Sequence, residues 1–327
     1  NFPLAQDTAW IESTGLNSGA TITINGGNTG YNIGTINMSG RTTNTMILAT
    51  GSTPPFVYGN WINGSGITSI TGTGAITFAG RGAQTITSAG APAFTQPIVI
   101  NSPSGSVTLT DAMNSVSASG VELTAGTFNA VNYNVSAIFF TTSNSNVRTA
   151  AIGTGTWTLS GTPVWVATTS TNLTVTGTGT IRLTSGSTKT FAGGGVAYTN
   201  ITLDQGGAGQ LSITGNNTFK DITNTSGVAN TISFAATTTT LSQFTAAGST
   251  GNLLTISGTS AASPATLIYT GGTNVSSNYL AINNIKAYAT TSTWYAGANS
   301  TNGGTLGWIF TAAPAVTYTR SFGWIIT

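Results

Sequence analysis

The stretch NLTVTGTGTIRLTSGSTKT, residues 172–190, contains the pattern that decides the fold. Leu173 and Val175, and then Ile181 and Leu183, fall at alternate positions, and Thr, Ser, Asn and Gly fill most of the others. Alternation with a period of two residues, bounded by Gly, Asn and Ser, is typical of β-strands. The stretch therefore predicts short strands with one apolar side.

The same alternation recurs along the whole chain. Examples are ATITIN (20–25), GAITFAG (74–80), SVTLTD (106–111), QLSITG (210–215) and GNLLTISG (251–258). No segment has the spacing of an amphipathic helix over three turns. Glu, a good helix former, occurs only at Glu12 and Glu122. The sequence therefore predicts an all-β protein.

The composition excludes several classes of protein. The 327 residues include 8 basic and 6 acidic side chains, and 4% of residues are charged, against about 25% in a typical soluble domain. The 39% hydrophobic content can fill a core, which argues against disorder. No apolar run approaches the roughly 20 residues of a spanning helix, so we expect no membrane insertion. The eight cations are scattered, so we expect no nucleic-acid partner.

Internal similarity indicates a repeat architecture. TGTGAITF (71–78) aligns with TGTGTIRL (176–183), and residues 94–111 then align with residues 198–215. A third copy of the opening, GTGTWTL, lies at 153–159. Self-similarity with strands every ten to twelve residues favours a right-handed parallel β-helix, or solenoid. We expect it to span residues 1–310, with an internal duplication of about 71–150 and 176–255.

An array of antiparallel β-sandwich domains has the same strand spacing and is the alternative fold. It requires β-hairpins, and the sequence offers two Asn-Gly candidates for type I′ turns, Asn63-Gly64 and Asn302-Gly303. Two such turns are too few for the number of strands, which favours the solenoid.

Five segments, in this order, resemble low-charge structural proteins of tailed bacteriophages, of the tail-fibre or adhesin-like type. They are LTAGTFNAVNYNVSA (123–137), SNSNVRTAAIGTGTWTLSGT (143–162), KTFAGGGVAYTNITLDQGGAGQLSITGNNTFKDITNT (189–225), AGSTGNLLTISGTS (247–260) and TWYAGANSTNGGTLGWIF (293–310). The resemblance implies a β-helical virion structural protein and carries no catalytic residues.

The inventory of reactive side chains is small. Without His or Cys, the chain cannot form a Ser-His or Cys-His catalytic pair or a His-ligated metal site. Asp111 and Asp204 end strands, and they would meet only if the fold brought the two repeats together. Otherwise each is a turn residue that binds backbone N–H groups. We therefore expect no catalytic, metal or cofactor site, with a polysaccharide-degrading enzyme as the minor alternative.

The best candidate for a surface that contacts glycans is Trp294-Tyr295 near Asn299 and Asn302. Aromatic rings stack on sugars, and side-chain amides hydrogen-bond their hydroxyls. The alternative is that Trp294 and Trp308 cap the apolar end of the solenoid, because terminal coils must be covered. The sequence favours this capping role over the glycan surface.

Residues 311–327 form a separate tail, which we predict to contain a strand. VTYTRSF (316–322) alternates, and GWII (323–326) is a near copy of GWIF (307–310). Because Trp324, Ile325 and Ile326 would form an aggregation-prone patch in water, we expect this tail to pack on a sheet. The sheet belongs either to its own domain or to a neighbouring chain, where the three residues would serve assembly.

Together these observations predict a non-enzymatic phage virion protein, located outside the cell as a β-helical fibre, spike or surface appendage. The expected partners are other virion proteins or copies of the chain in a homo-oligomer, and host-surface carbohydrate. A bacterial surface or secreted adhesin of the same architecture is the alternative.

Overall fold

The structure is a computed structural model that describes residues 4–24, 30–53, 55–90 and 92–315. All regular secondary structure in these ranges is β-strand, and the strands stack in parallel as a solenoid of about 13 coils. The predicted all-β class and parallel solenoid are confirmed. The described ranges include no helix with the length and apolarity needed to cross a membrane.

The first seventeen strands run from the amino-terminal coil to the middle of the rod. They are β1 (Thr8–Trp10), β2 (Ala20–Thr23), β3 (Tyr31–Ile33), β4 (Thr35–Asn37), β5 (Met46–Ala49), β6 (Pro55–Val57), β7 (Trp61–Ile62), β8 (Ile67–Thr71), β9 (Ile76–Phe78), β10 (Ala83–Thr87), β11 (Ile98–Leu109), β12 (Met113–Asn114), β13 (Val121–Asn129), β14 (Val135–Ala137), β15 (Phe140–Thr141), β16 (Arg148–Gly153) and β17 (Thr156–Leu159).

Seventeen more strands complete the rod. They are β18 (Trp165–Val166), β19 (Leu173–Gly177), β20 (Thr180–Leu183), β21 (Lys189–Ala192), β22 (Ala197–Gln205), β23 (Leu211–Thr214), β24 (Thr218–Asn224), β25 (Asn230–Phe234), β26 (Thr238–Leu241), β27 (Leu254–Gly258), β28 (Ala265–Tyr269), β29 (Val275–Ser276), β30 (Leu280–Asn283), β31 (Ile285–Ala289), β32 (Trp294–Tyr295), β33 (Thr301–Gly303) and β34 (Trp308–Ile309).

Each coil contributes to three faces of the rod. Face 1 is a ladder of thirteen strands in the order β3-β6-β9-β11-β13-β15-β18-β21-β23-β25-β27-β30-β33. Face 2 contains β1-β4-β7-β10-β11-β13-β16-β19 and then β22-β24-β26-β28-β31. Face 3 contains β2-β5-β8, then β12-β14-β17-β20-β22-β24, and finally β29-β32-β34. The long strands β11, β13, β22 and β24 bend around a corner and belong to two faces.

The pairing of the strands rules out the antiparallel alternative, because every pair of named strands in the described ranges is parallel. Neither Asn-Gly candidate for a hairpin turn forms a hairpin. Asn63-Gly64 turns the corner between β7 and β8, where Asn63 is buried and its Oδ1 accepts the indole N–H of Trp61 at 2.8 Å. Asn302-Gly303 lies within β33, which pairs in parallel with β30.

The core follows from the alternation seen in the sequence. Ile181 and Leu183 both point into the rod and are fully buried, as predicted. Ile181 pairs in register with Trp157 of the preceding coil and Leu203 of the following one, both of which are also buried. Each coil therefore places apolar side chains directly on those of its neighbours, and the core is a continuous column.

The GTG segments turn a corner in two successive coils, and this explains their repetition. Gly153 and Gly177 both have positive φ angles, 73° and 115°, a region that favours glycine. A Cβ atom at Gly177 would overlap the backbone of Gly153. The third copy of the motif and the copy at 176–183 are thus consecutive coils, stacked on one another.

The two segments aligned in the sequence as a duplication lie on different faces. Residues 76–78 form β9 on face 1, whereas residues 180–183 form β20 on face 3. All three faces are built from the same unit of a short alternating strand and a Gly-containing turn, so similar segments can occupy any of them.

Candidate functional site

A slot lies on face 2 of the rod, where the ladder of strands is interrupted. On face 2, β19 pairs with β16 on one side of the slot, and β22 pairs with β24 on the other side. β19 and β22, which face each other across the slot, do not pair. Faces 1 and 3 remain continuous across the same coils, through β18-β21-β23 and β17-β20-β22. The slot therefore exposes two strand edges inside an otherwise closed wall.

Both ends of the slot are closed by hydrogen bonds. At one end the hydroxyl of Ser170 donates to the carbonyl oxygen of Gly194 at 2.6 Å. At the other end the two coils are hydrogen-bonded again, and the N–H of Thr202 donates to the carbonyl oxygen of Gly179 at 3.2 Å. The volume of the slot, which is open to solvent, is about 500 Å³. This lies within the range of about 300–1,000 Å³ found for pockets that bind small molecules.

The walls of the slot combine apolar and uncharged polar groups. Leu173, Val175 and Val196 are half-buried, because no neighbouring strand covers them fully. Exposed polar side chains at the slot are Thr174, Thr176, Thr199 and Asn200. None of the twelve lining residues carries a charge. The slot therefore offers hydroxyl, amide and strand-edge peptide groups to an uncharged ligand.

The width of the slot limits what can enter it. An added strand paired on both sides needs its two flanking strands about 9.6 Å apart, twice the usual spacing of about 4.8 Å. Cα atoms of β19 and β22 approach within 8 Å of one another. The slot is therefore too narrow in part of its length for another strand, but it has room for hydroxyl groups.

The sequence-predicted glycan surface is divided between core and surface. Trp294 is only 1% exposed, and its ring packs on Phe244, Tyr269 and Trp308. Its indole N–H donates to the carbonyl oxygen of Tyr288 at 3.0 Å. Trp294 therefore has no ring face at the surface for a sugar, and it packs in the core beside Trp308.

The other three residues, Tyr295, Asn299 and Asn302, lie in the last coils and differ in exposure and in hydrogen bonding. Tyr295 is half-buried, and Asn299 is exposed. Asn302 is exposed too, but its Oδ1 is taken up locally, since it accepts the backbone N–H groups of Gly304 and Thr305, both at 3.0 Å. The candidates for assembly, Trp324, Ile325 and Ile326, lie outside the described residues.

Three carboxylates bind groups of an adjacent coil, in the manner of structural turn residues. Asp111 accepts the N–H groups of Ser88 and Ala89. Asp204 accepts the N–H and hydroxyl of Thr225. Asp221 accepts the same two groups of Thr245, at 3.0 and 2.6 Å. Each carboxylate therefore links one coil to the next. Burial raises the pKa of the Asp221 carboxyl above its usual value.

Asp111 and Asp204 do not form a pair. Asp111 precedes β12, and Asp204 lies in β22, four strand steps along face 3. At about 4.8 Å a step this is roughly 19 Å, beyond the roughly 5–10 Å that separates the carboxylates of glycosidases. Asp204 instead lies 3.4 Å from the guanidinium Nε of Arg182. Within the described ranges, no three acidic side chains cluster in a way that could hold a metal ion.

The structure also contains buried cations that sequence reasoning missed. Arg41, Arg148 and Lys189 are almost fully buried, each at a corner of the rod. Arg148 donates to the carbonyl oxygens of Thr142, Asn146, Thr169 and Thr171. Lys189 donates to those of Ser185 and Gly209, and its burial lowers its pKa to about 8. These cations satisfy the carbonyl groups of long corner loops, and no local sequence pattern marks them.

Comparison with known proteins gives no relative: no protein family matches the chain, and no curated protein or solved structure is significantly similar to it. The features that bear on function are therefore the rod, the slot and the resemblance of the five segments.

Proposed function

We propose that the protein is a non-enzymatic structural component of a phage virion, a β-helical fibre, spike or surface appendage that lies outside the cell. The observation that carries the proposal is the unbroken ladder of thirteen strands on face 1. At about 4.8 Å per step it gives a rod about 60 Å long. A rod held by backbone hydrogen bonds at every coil is suited to hold other parts of a particle at a fixed distance.

The low density of charge on the rod supports the same role. With 8 basic and 6 acidic residues in 327, the rod has few charges for electrostatic attraction to unrelated molecules. Binding to its partners should therefore depend weakly on ionic strength. We expect less than about a tenfold change in affinity between roughly 50 and 300 mM salt, and a larger loss would contradict an uncharged interface.

Immunogold electron microscopy with an antibody against the recombinant protein tests the location. Labelling of purified virions, with no labelling of the envelope of uninfected host cells, is the expected result. Labelling of uninfected cells with unlabelled virions would instead support the bacterial adhesin.

A second candidate function is contact with uncharged host-surface glycans through the slot between β19 and β22. The slot supports this because its lining offers hydroxyl, amide and peptide groups without charge. A panel of neutral host oligosaccharides, titrated by calorimetry, provides the test. Thr176→Arg should weaken binding at least tenfold, because Thr176 lines the slot, whereas Thr178→Arg should not, because Thr178 is exposed outside it. Equal effects of the two substitutions would exclude the slot as the site.

The absence of enzymatic activity is part of the proposal and needs its own test. The protein should release no products from host polysaccharide. If products do appear, Asp111→Asn and Asp204→Asn variants identify whether either carboxylate is responsible, and loss of product in one of them would establish an enzyme.

A further inference from the structure

The described residues leave the carboxyl-terminal end of the rod uncovered. Among the described residues, the last strand on face 1 is β33, the last on face 3 is β34, and face 2 ends with a single bridge between Lys286 and Leu306. Leu306 is 62% exposed, and Ile309 is 41% exposed. An end with exposed apolar side chains and open strand edges requires a covering group.

Trp308, at the same end, has a buried polar group without a partner among the described residues. Trp308 is 8% exposed, and the centroid of its ring lies 4.6 Å from that of Trp294. The indole N–H groups of Trp61, Trp157, Trp165 and Trp294 each donate a hydrogen bond. The buried indole N–H of Trp308 has no acceptor within the described part of the chain. Because a buried donor without an acceptor is costly, the end of the rod indicates a missing neighbour.

The sequence after the last coil has the features of that neighbour. GWII (323–326) nearly repeats GWIF (307–310), in which Trp308 enters the core and Ile309 points outward. On face 3, 19 residues separate Val275 from Trp294, and 14 separate Trp294 from Trp308. Trp324 follows Trp308 by 16 residues. This spacing lies within the range of the two preceding coils.

We propose that the segment 316–327 of the same chain docks on the last coil, with Trp324 against Trp308 and Ile325 beside Ile309. This register continues the one that places Trp308 on Trp294 and Ile309 on Tyr295. The docked segment covers Leu306 and Ile309 and brings new acceptors to the indole N–H of Trp308. The inference is independent of the proposed function, since it concerns only how the end of the rod is closed.

Disulfide formation tests this register, because the natural chain contains no Cys. Paired residues on neighbouring parallel strands have Cα atoms about 4.8 Å apart, within the range that a disulfide spans. Ile309→Cys combined with Ile325→Cys should form an intrachain disulfide under mild oxidation. The matched control combines Ile309→Cys with Ile326→Cys, because the proposed register would direct residue 326 to the opposite side of the strand from residue 325. The first pair should react at least tenfold faster, measured by non-reducing electrophoresis and peptide mass spectrometry.

Three outcomes would overturn the proposal. They are no disulfide in the first pair, equal rates in both pairs, and disulfide-linked dimers, which would assign the covering segment to a neighbouring copy. Hydrogen exchange gives a second measurement that needs no Cys. The indole N–H of Trp308 should exchange at least tenfold faster in a Trp324→Ser variant than in the natural chain, and an unchanged rate would also refute the docking.

Discussion

The carbonyl oxygen of Val131 occupies the place that a Cβ atom would take at Gly153 in the next coil. Both residues turn the same corner of the rod, with φ angles of 57° for Val131 and 73° for Gly153. Because successive coils stack directly, a side chain at such a corner is constrained by its own backbone angle and by the coil beneath it. The corners are therefore the positions where single substitutions have the largest expected effects.

Gly153→Ala should destabilise the protein by about 2–4 kcal/mol, because alanine adds both a strained φ angle and a clash with Val131. Gly186→Ala is the matched control, since Gly186 is exposed and a Cβ atom there meets no other atom. The midpoints of urea unfolding measure both effects. Similar losses for the two variants would show that the stacked corner does not matter.

Val131→Asn should stabilise the protein by about 1 kcal/mol. A β-branched residue at a positive φ is strained, whereas Asn tolerates this conformation. Val131 is also 42% exposed, so little packing is lost. Val147→Asn serves as the control, because Val147 is 77% exposed and has no positive φ. The same unfolding measurement applies, and a loss of stability at position 131 would contradict the assigned strain.

Arg148→Met should cost at least about 3 kcal/mol, because it leaves several buried carbonyl oxygens of the corner loops without donors. Arg148→Lys should restore only part of this loss, since an ammonium group has fewer donors and cannot span the same acceptors. Arg81→Met is the control at an exposed arginine. A small effect at position 148, comparable with that at position 81, would show that water satisfies these carbonyl groups.

Lys189 should make stability rise between about pH 8 and pH 9.5. Burial lowers its pKa from 10.5 to about 8, so in this interval the folded chain releases a proton that the unfolded chain keeps. The gain should reach at most about 1.4 kcal/mol per pH unit. It is complete above pH 10.5 and is lost as the pH falls through 8.

Buried Tyr198 acts in the opposite direction at higher pH. Burial raises its pKa, so above about pH 10 only the unfolded chain loses this proton, and stability falls. The effect of Lys189 is therefore measured as the midpoint of urea unfolding between pH 8 and 9.5, below the range in which Tyr198 acts. The rise should disappear in Lys189→Met, and a rise that persists in this variant would assign it to another group.

Sequence reasoning predicted the strand pattern well, because a period of two residues dictates which side chains enter the core. Ile181 and Leu183 were placed correctly on this basis. The pattern alone left the role of Asn63-Gly64 open, because a corner between two parallel strands uses the same residues as a hairpin turn. The position of Asn63 depends on Trp61, whose indole N–H it accepts, and a pairwise turn signal does not include that contact.

The candidate site was harder to predict than the fold. Trp294 was compatible with both a sugar-binding surface and a core position, and only the stacking of Phe244, Tyr269 and Trp308 around it decides between them. The slot could not be inferred, since β19 has the same alternation as strands that pair on both sides. It arises where the chain of the next coil bulges at 199–201, a tertiary feature with no local signature.

The interruption between β19 and β22 also has a mechanical consequence. At this level paired strands join faces 1 and 3 to the next coil, whereas face 2 has no strand pairing and only the hydrogen bonds at the two ends of the slot. Bending that widens face 2 here breaks no ladder, whereas bending that widens either other face must break one. The rod should therefore bend more easily in this one direction at this level, which lies just past its middle, between the seventh and eighth strands of face 1, β18 and β21.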